Sequence, residues 1–88
     1  MKVEIKKLHP DEIQNLKIKT WPVWTKEISE FNWYYDTKEM CYFLEGEVIV
    51  KTENEEYAIK KGDFVVFPKG LHCKWIVKSP VKKHYKFE

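Results

Sequence analysis

Arginine is absent from these 88 residues: all 16 basic side chains are lysines, set against 14 acidic ones for a formal charge of +2. The two signs alternate along the chain and never gather into a block, so neither a nucleic-acid footprint nor a basic membrane-surface patch is present. No nucleic-acid or membrane partner is expected. The lysine and glutamate that take arginine's place point, by composition, to a thermophilic source. Long apolar runs are missing as well. Met1-Lys2-Val3-Glu4-Ile5-Lys6 alternates charged with apolar residues, which suits neither a signal peptide nor a membrane span, and a cytoplasmic protein is the expectation. Cysteine is scarce: Cys41 and Cys73 are too few for a disulfide framework and too far apart for a zinc knuckle, so reduced thiols are the default. Internal repeats, low-complexity stretches and linkers are lacking too.

Aromatic residues are what the chain has in plenty, at 16% of the sequence, within an ordinary 43% hydrophobic fraction. Eighty-eight residues cannot bury two independent cores, so one domain spanning residues 1–88 is expected, with aromatics supplying much of its interior. Val3 and Ile5 alternate with charges as in an edge strand. His9-Pro10-Asp11-Glu12 followed by Ile13 and Leu16 reads as one short helical turn with proline near its start. From Trp21 onward the period is two. Strands are predicted at about 26–30, 31–35, 39–44, 47–52, 56–59, 64–67, 73–78 and 81–87. Between them lie turn residues, among them Asp36-Thr37-Lys38, Glu45-Gly46, Lys61-Gly62-Asp63, Pro68-Lys69-Gly70 and Ser79-Pro80. So many short strands at regular spacing imply an all-β sandwich or barrel.

Two glycine-centred patterns sharpen this. Gly62, five residues, Pro68, one residue and Gly70 reproduce the second signature of the cupin superfamily, in which a histidine follows after two more residues; Cys73 holds that slot. Glu39 and Gly46 fit the closing glutamate-to-glycine spacing of the first signature. Its His-x-His pair is replaced by Asn32 and Tyr34 or by Trp33 and Tyr35, according to the gap chosen. Together with Cys73-x-Trp75-x-Val77 and Lys83-His84-Tyr85, these fragments resemble the short single-domain cupins similar to the cupin domain of (S)-ureidoglycine aminohydrolase and to ethanolamine-utilisation cupins. The resemblance covers residues 21–87. It implies a small jelly-roll β-barrel, commonly a homodimer, and amide chemistry on a small polar metabolite of the ureidoglycine kind.

Strand parity then selects candidate site residues. Glu39, Cys41 and Phe43 share one face of their strand, Cys73, Trp75 and Val77 another, and Val81, Lys83, Tyr85 and Phe87 a third. With the signature positions of Glu39 and Cys73 facing inward, a carboxylate and two thiols meet in one cavity. Lys83 is the lone charge on an otherwise apolar face, and a buried ammonium needs a partner, for which Glu39 is the obvious choice. Glu39 and Lys83 are therefore the catalytic candidates, as acid or base and as electrostatic stabiliser. Trp33, Tyr35, Cys41, Cys73 and Trp75 are the ligand-binding candidates. His9, His72 and His84 are expected at the surface. No metal ligand set is assigned; zinc or manganese would have to be held by Glu39, Cys73 and Cys41 without an imidazole. The leading expectation is a small-molecule-binding protein. Its alternative is a non-catalytic module that dimerises through residues 2–7, with Trp21 and Trp24 at the interface.

Overall fold

Two strands run further than the turn signals divide them. In the computed structural model, which describes residues 1–88, the elements in chain order are β1 (Glu4–Lys7), α1 (Pro10–Asn15), β2 (Val23–Lys26), β3 (Ser29–Tyr34), β4 (Glu39–Lys51), β5 (Glu56–Lys60), β6 (Asp63–Phe67) and β7 (His72–Phe87). β4 has 13 residues and β7 has 16. The Glu45-Gly46 and Ser79-Pro80 segments, expected as turns, are bends within these continuous strands.

The bend has a local cause. Gly46 sits at φ 98°, and a β-carbon there would lie 2.5 Å from the Pro80 carbonyl oxygen, so only glycine lets β4 cross β7 this closely. The β4–β7 register shifts three times between Phe43 and Val48, and Pro80, which has no N–H to donate, falls where the ladder is interrupted. The irregularity also flips the parity of β4. Its buried positions are Glu39, Cys41 and Phe43 before the bend and Val48 and Val50 after it.

Every pairing is antiparallel. The first half of β4 carries β6, with β1 beyond it, while its second half carries β5. β7 carries β3 on its first half and β2 on its second. The bent β4–β7 ribbon thus belongs to both layers of a small all-β jelly roll, as the sequence pattern indicates. A core cluster that includes Phe43, Val50, Val65, Phe67, Trp75 and Val77 fills the space between them.

Helical structure is confined to the N-terminal segment. Pro10 opens α1, and the Glu12 carboxylate accepts the His9 backbone N–H at 3.1 Å. A three-residue 310 turn, Ile18–Thr20, follows without a sequence signal, entered through Lys17 in the left-handed region at φ 56°. Ile18 and Trp21 pack with Phe64, alongside Met40 and Tyr42, in a second cluster built on the opposite side-chain parity of β4 and β6. Covering that face leaves the inner one free to form a cavity. No helix is long and apolar enough to cross a membrane.

Candidate ligand site

Lys83 enters the interior because β7 keeps odd-numbered side chains inward through its second half, where Val81 and Lys83 are both buried. Its backbone lies opposite Phe43 of β4 and Trp24 of β2. The aliphatic stem runs along the inner face of β4, so that Nζ comes to 3.2 Å from Cys41 Sγ and 3.3 Å from Glu39 Oε2. Both charged residues are only 4% exposed. Aromatic faces complete the ammonium's surroundings: Nζ is 4.8 Å from the Trp75 ring centroid and 4.9 Å from that of Trp24. The negative faces of those rings favour a cation and supplement the single carboxylate.

Above this ion pair is a cavity of about 180 Å³. Glu39 and Lys83 form its polar spot, and the remaining lining residues are aromatic. Trp24 comes from β2, Phe31 and Trp33 from β3, and Trp75, Tyr85 and Phe87 from β7. Trp24 meets Trp75 edge-on at 5.7 Å, and Phe31 stacks on Trp75 at 5.8 Å. Tyr35 is held in the wall by the loop before β7: Gly70 donates its N–H to the Tyr35 carbonyl at 2.6 Å, and Tyr35 donates its own to Leu71 at 2.9 Å. Gly70 stands at φ 91°, which explains the glycine of the sequence pattern. The Tyr35 ring lies flat on Phe67 at 4.7 Å. Burial, then the nearby Glu39 carboxylate, raise the Tyr35 phenol above its ordinary pKa. The Tyr35 hydroxyl and Trp75 Nε1 are buried without a hydrogen-bond partner.

Of the residues selected from sequence, Glu39, Lys83, Trp33, Tyr35 and Trp75 line this one cavity. Cys41 and Cys73 do not, which corrects their placement among the ligand-contacting residues. Cys41 has no exposed surface and lies covered by the Lys83 ammonium that it contacts. Cys73 pairs across the ladder with Trp33 and borders a shallow surface groove shared with Asn32 and His72. Both are free thiols, pushed up by burial to about 12 for Cys41 and about 11 for Cys73. Trp24, Phe31, Tyr85 and Phe87 are lining residues that sequence reasoning missed. Parity already put Tyr85 and Phe87 on the face of Lys83, and the same period, applied to the strand at 31–35, puts Phe31 on that of Trp33. Trp24 carried no such signal, because the strand holding it begins three residues before the predicted one.

Two further expectations meet a different placement in the structure. Trp21 is buried within the chain and Trp24 is half-buried over Lys83, where the sequence expectation has both at a dimer interface. His84 is half-buried, with Nδ1 3.0 Å from the Trp21 carbonyl. Since a carbonyl only accepts, Nδ1 carries the proton in that contact. His9 and His72 are exposed, as expected.

The donors around Lys83 do not suit a metal. Glu39 and Cys41 both face the same ammonium, Cys73 lies in the core cluster at the border of the groove, and no three His, Cys, Asp or Glu side chains converge anywhere in the chain. A cation entering there would meet the positive charge of Lys83 within contact distance of its own ligands.

Among proteins of known structure, a DUF861 family protein from Thermotoga maritima is 53% identical over 99% of this chain and 100% of its own, with a TM-score of 0.97. A DUF861 family protein of unknown function from Pseudomonas syringae is 28% identical over 75% of this chain and 29% of its own, at a TM-score of 0.68. The EutQ protein of Clostridium difficile shares the fold at 17% identity, over 97% of this chain and 66% of its own, at a TM-score of 0.70. No curated protein matches the chain significantly. The EutQ-like cupin domain matches residues 13–85, which runs from within α1 to near the end of β7 and leaves out β1, and the chain belongs to that family.

Proposed function

We propose that the cavity is a binding site for a small molecule and that Glu39 and Lys83 are the groups that act on it. The observation supporting this reading is the ion pair itself, buried at the polar end of an otherwise aromatic cavity. A buried pair is poor value as a stabilising device, since apolar residues of similar volume commonly do as well, so its position inside a cavity favours a role toward a ligand. In a reaction, the carboxylate takes or returns a proton while the ammonium stabilises negative charge developing on an oxygen, without a metal. Resemblance to ureidoglycine-processing cupins suggests an amide of a small polar metabolite as the substrate. Trp33, Tyr35 and Trp75 are the platform against which it rests.

A screen of small polar metabolites by heteronuclear NMR tests the site. Hits are expected to move the indole N–H signals of Trp24 and Trp75 together. Hits that move only residues of the outer groove, such as His72, would place binding elsewhere and dismiss the cavity.

A second reading, a dimeric module without catalysis, is favoured by the free outer edge of β1, which pairs with β6 alone. Glu4, Lys6 and Lys7 on that strand are charges of the kind that discourage pairing. Mass in solution measured across a dilution series decides: a monomer throughout removes the homodimer.

A further inference from the structure

We propose that the cavity selects a neutral, flat, single-ring ligand carrying a lactam edge, that is, a ring carbonyl beside a ring N–H. The inference rests on the ligand-site reading above and deepens it.

Size sets the first bound. A cavity of about 180 Å³ is little larger than the roughly 150 Å³ apolar cavities that admit benzene, so one six-membered ring with a small substituent fills it. The walls set the second. Trp24, Phe31 and Trp75 line it as one aromatic cluster, with Trp24 edge-on to Trp75 and Phe31 stacked on it, and a planar ring gains most against aromatic walls.

The polar end sets the third bound, through the hydrogen bonds it leaves unmade. An ammonium has three N–H donors, and Lys83 uses two, on Glu39 Oε2 and Cys41 Sγ. Glu39 has two carboxylate oxygens; Oε2 takes the Lys83 proton, and Oε1 has no protein partner. The third ammonium N–H, set among the Trp24 and Trp75 rings, and the carboxylate oxygen Oε1 are therefore left to a ligand, in a cavity also lined by Tyr35 and Trp75, whose hydroxyl and Nε1 are buried without partners. A carbonyl accepting from Lys83 and an adjacent N–H donating to Glu39 Oε1 complement both at once.

Charge sets the fourth. The pair sums to zero, so an anionic ligand drawn to Lys83 meets the Glu39 carboxylate, and a cationic one drawn to Glu39 meets the ammonium. Either leaves a like charge close by in a poorly hydrated site. A neutral ligand avoids both penalties.

Five ring-sized probes test this by saturable quenching of tryptophan fluorescence: α-pyridone, its N-methyl derivative, toluene, benzoate and benzylamine. α-Pyridone is expected to bind about ten-fold more tightly than toluene, and N-methylation to remove that advantage, the size of effect one or two net hydrogen bonds give. Benzoate and benzylamine are expected to bind more weakly than toluene. In the double substitution Glu39→Leu with Lys83→Met, α-pyridone and toluene are expected to bind alike. The N-methyl comparison needs only the unaltered protein, so the test survives a variant that fails to fold. Tightest binding of benzoate or benzylamine overturns the inference. Equal binding of α-pyridone and toluene overturns it while leaving a ligand cavity in place, whereas no saturable binding by any probe overturns both readings.

Discussion

Three kinds of neighbour surround Lys83 Nζ inside the protein: the Glu39 carboxylate, the Cys41 sulfur and the faces of two tryptophans. Removing one member of the ion pair leaves the other buried alone, so Glu39→Leu or Lys83→Met singly is expected to cost about 3–5 kcal/mol in urea unfolding. The double substitution is expected to recover most of that loss, because apolar side chains of similar volume then fill the same space. Additive losses in the double variant would mean that the two residues are not a coupled pair. The ammonium also contacts both Glu39 and Cys41, two of the three side chains a metal would need here. Adding zinc or manganese is thus expected to leave the thermal midpoint of the unaltered protein where it was, and a rise that grows with metal concentration would count against the metal-free reading. At this scale much of the site was legible in the sequence. Parity put Glu39 and Lys83 on inward faces, and the cost of a lone buried ammonium named the partner. Parity alone does not say which inward side chains reach a cavity and which lie beneath another residue, and for that reason Cys41 and Cys73 were drawn into the wall.

The bend in β4 shows what a turn signal means at the scale of an element. Glycine and proline mark places where the chain departs from a regular ladder, and a kink inside a long strand satisfies that requirement as well as a loop between two short ones. Glu45-Gly46 and Ser79-Pro80 therefore looked like strand ends, and no local pattern separates the two cases. The distinction is tertiary: each segment bends because the other crosses it. Gly46→Ala places a β-carbon 2.5 Å from the Pro80 carbonyl oxygen and 2.7 Å from the Val81 α-carbon, both backbone atoms of β7. Gly62 has a similar φ of 91°, but the nearest atom to a β-carbon there is the flexible end of Lys7, at 3.6 Å. Gly62→Ala is expected to cost about 1–2 kcal/mol for conformation alone. Gly46→Ala is expected to cost more than about 3 kcal/mol, since the clash adds to the strain and displaces the half of β7 that carries Lys83. Equal losses in denaturant unfolding would show that the close crossing of β4 and β7 does not limit what Gly46 can become. The same comparison explains why the glycine pattern was a better guide to architecture than the strand boundaries were.

For the molecule as a whole, the aromatic interior sets how stability responds to pH. Cys41 and Cys73 are neutral thiols in the fold, held so chiefly by burial, with values of about 12 and about 11 against an ordinary 9.0. The buried Tyr35 phenol is raised in the same direction. An acid whose folded value exceeds its unfolded one stabilises the fold fully below the unfolded value. That contribution is lost as pH rises toward and through the folded value, because the unfolded chain releases its proton first. Stability is therefore expected to fall from about pH 9 upward, most steeply before the folded thiols themselves ionise near 11 and 12. Lysines and other tyrosines titrate in the same range, so the test is a difference. Urea unfolding is followed across this range for the unaltered protein and for Cys41→Ala with Cys73→Ala. The double variant will start from lower stability, because each change removes buried volume, but its stability is expected to decline less steeply with pH. Parallel declines would show that the thiols ionise alike in the folded and unfolded chain. That result would also undercut the picture of Cys41 as a neutral thiol sealed beneath the Lys83 ammonium, on which the assignment of one spare donor to Lys83 depends.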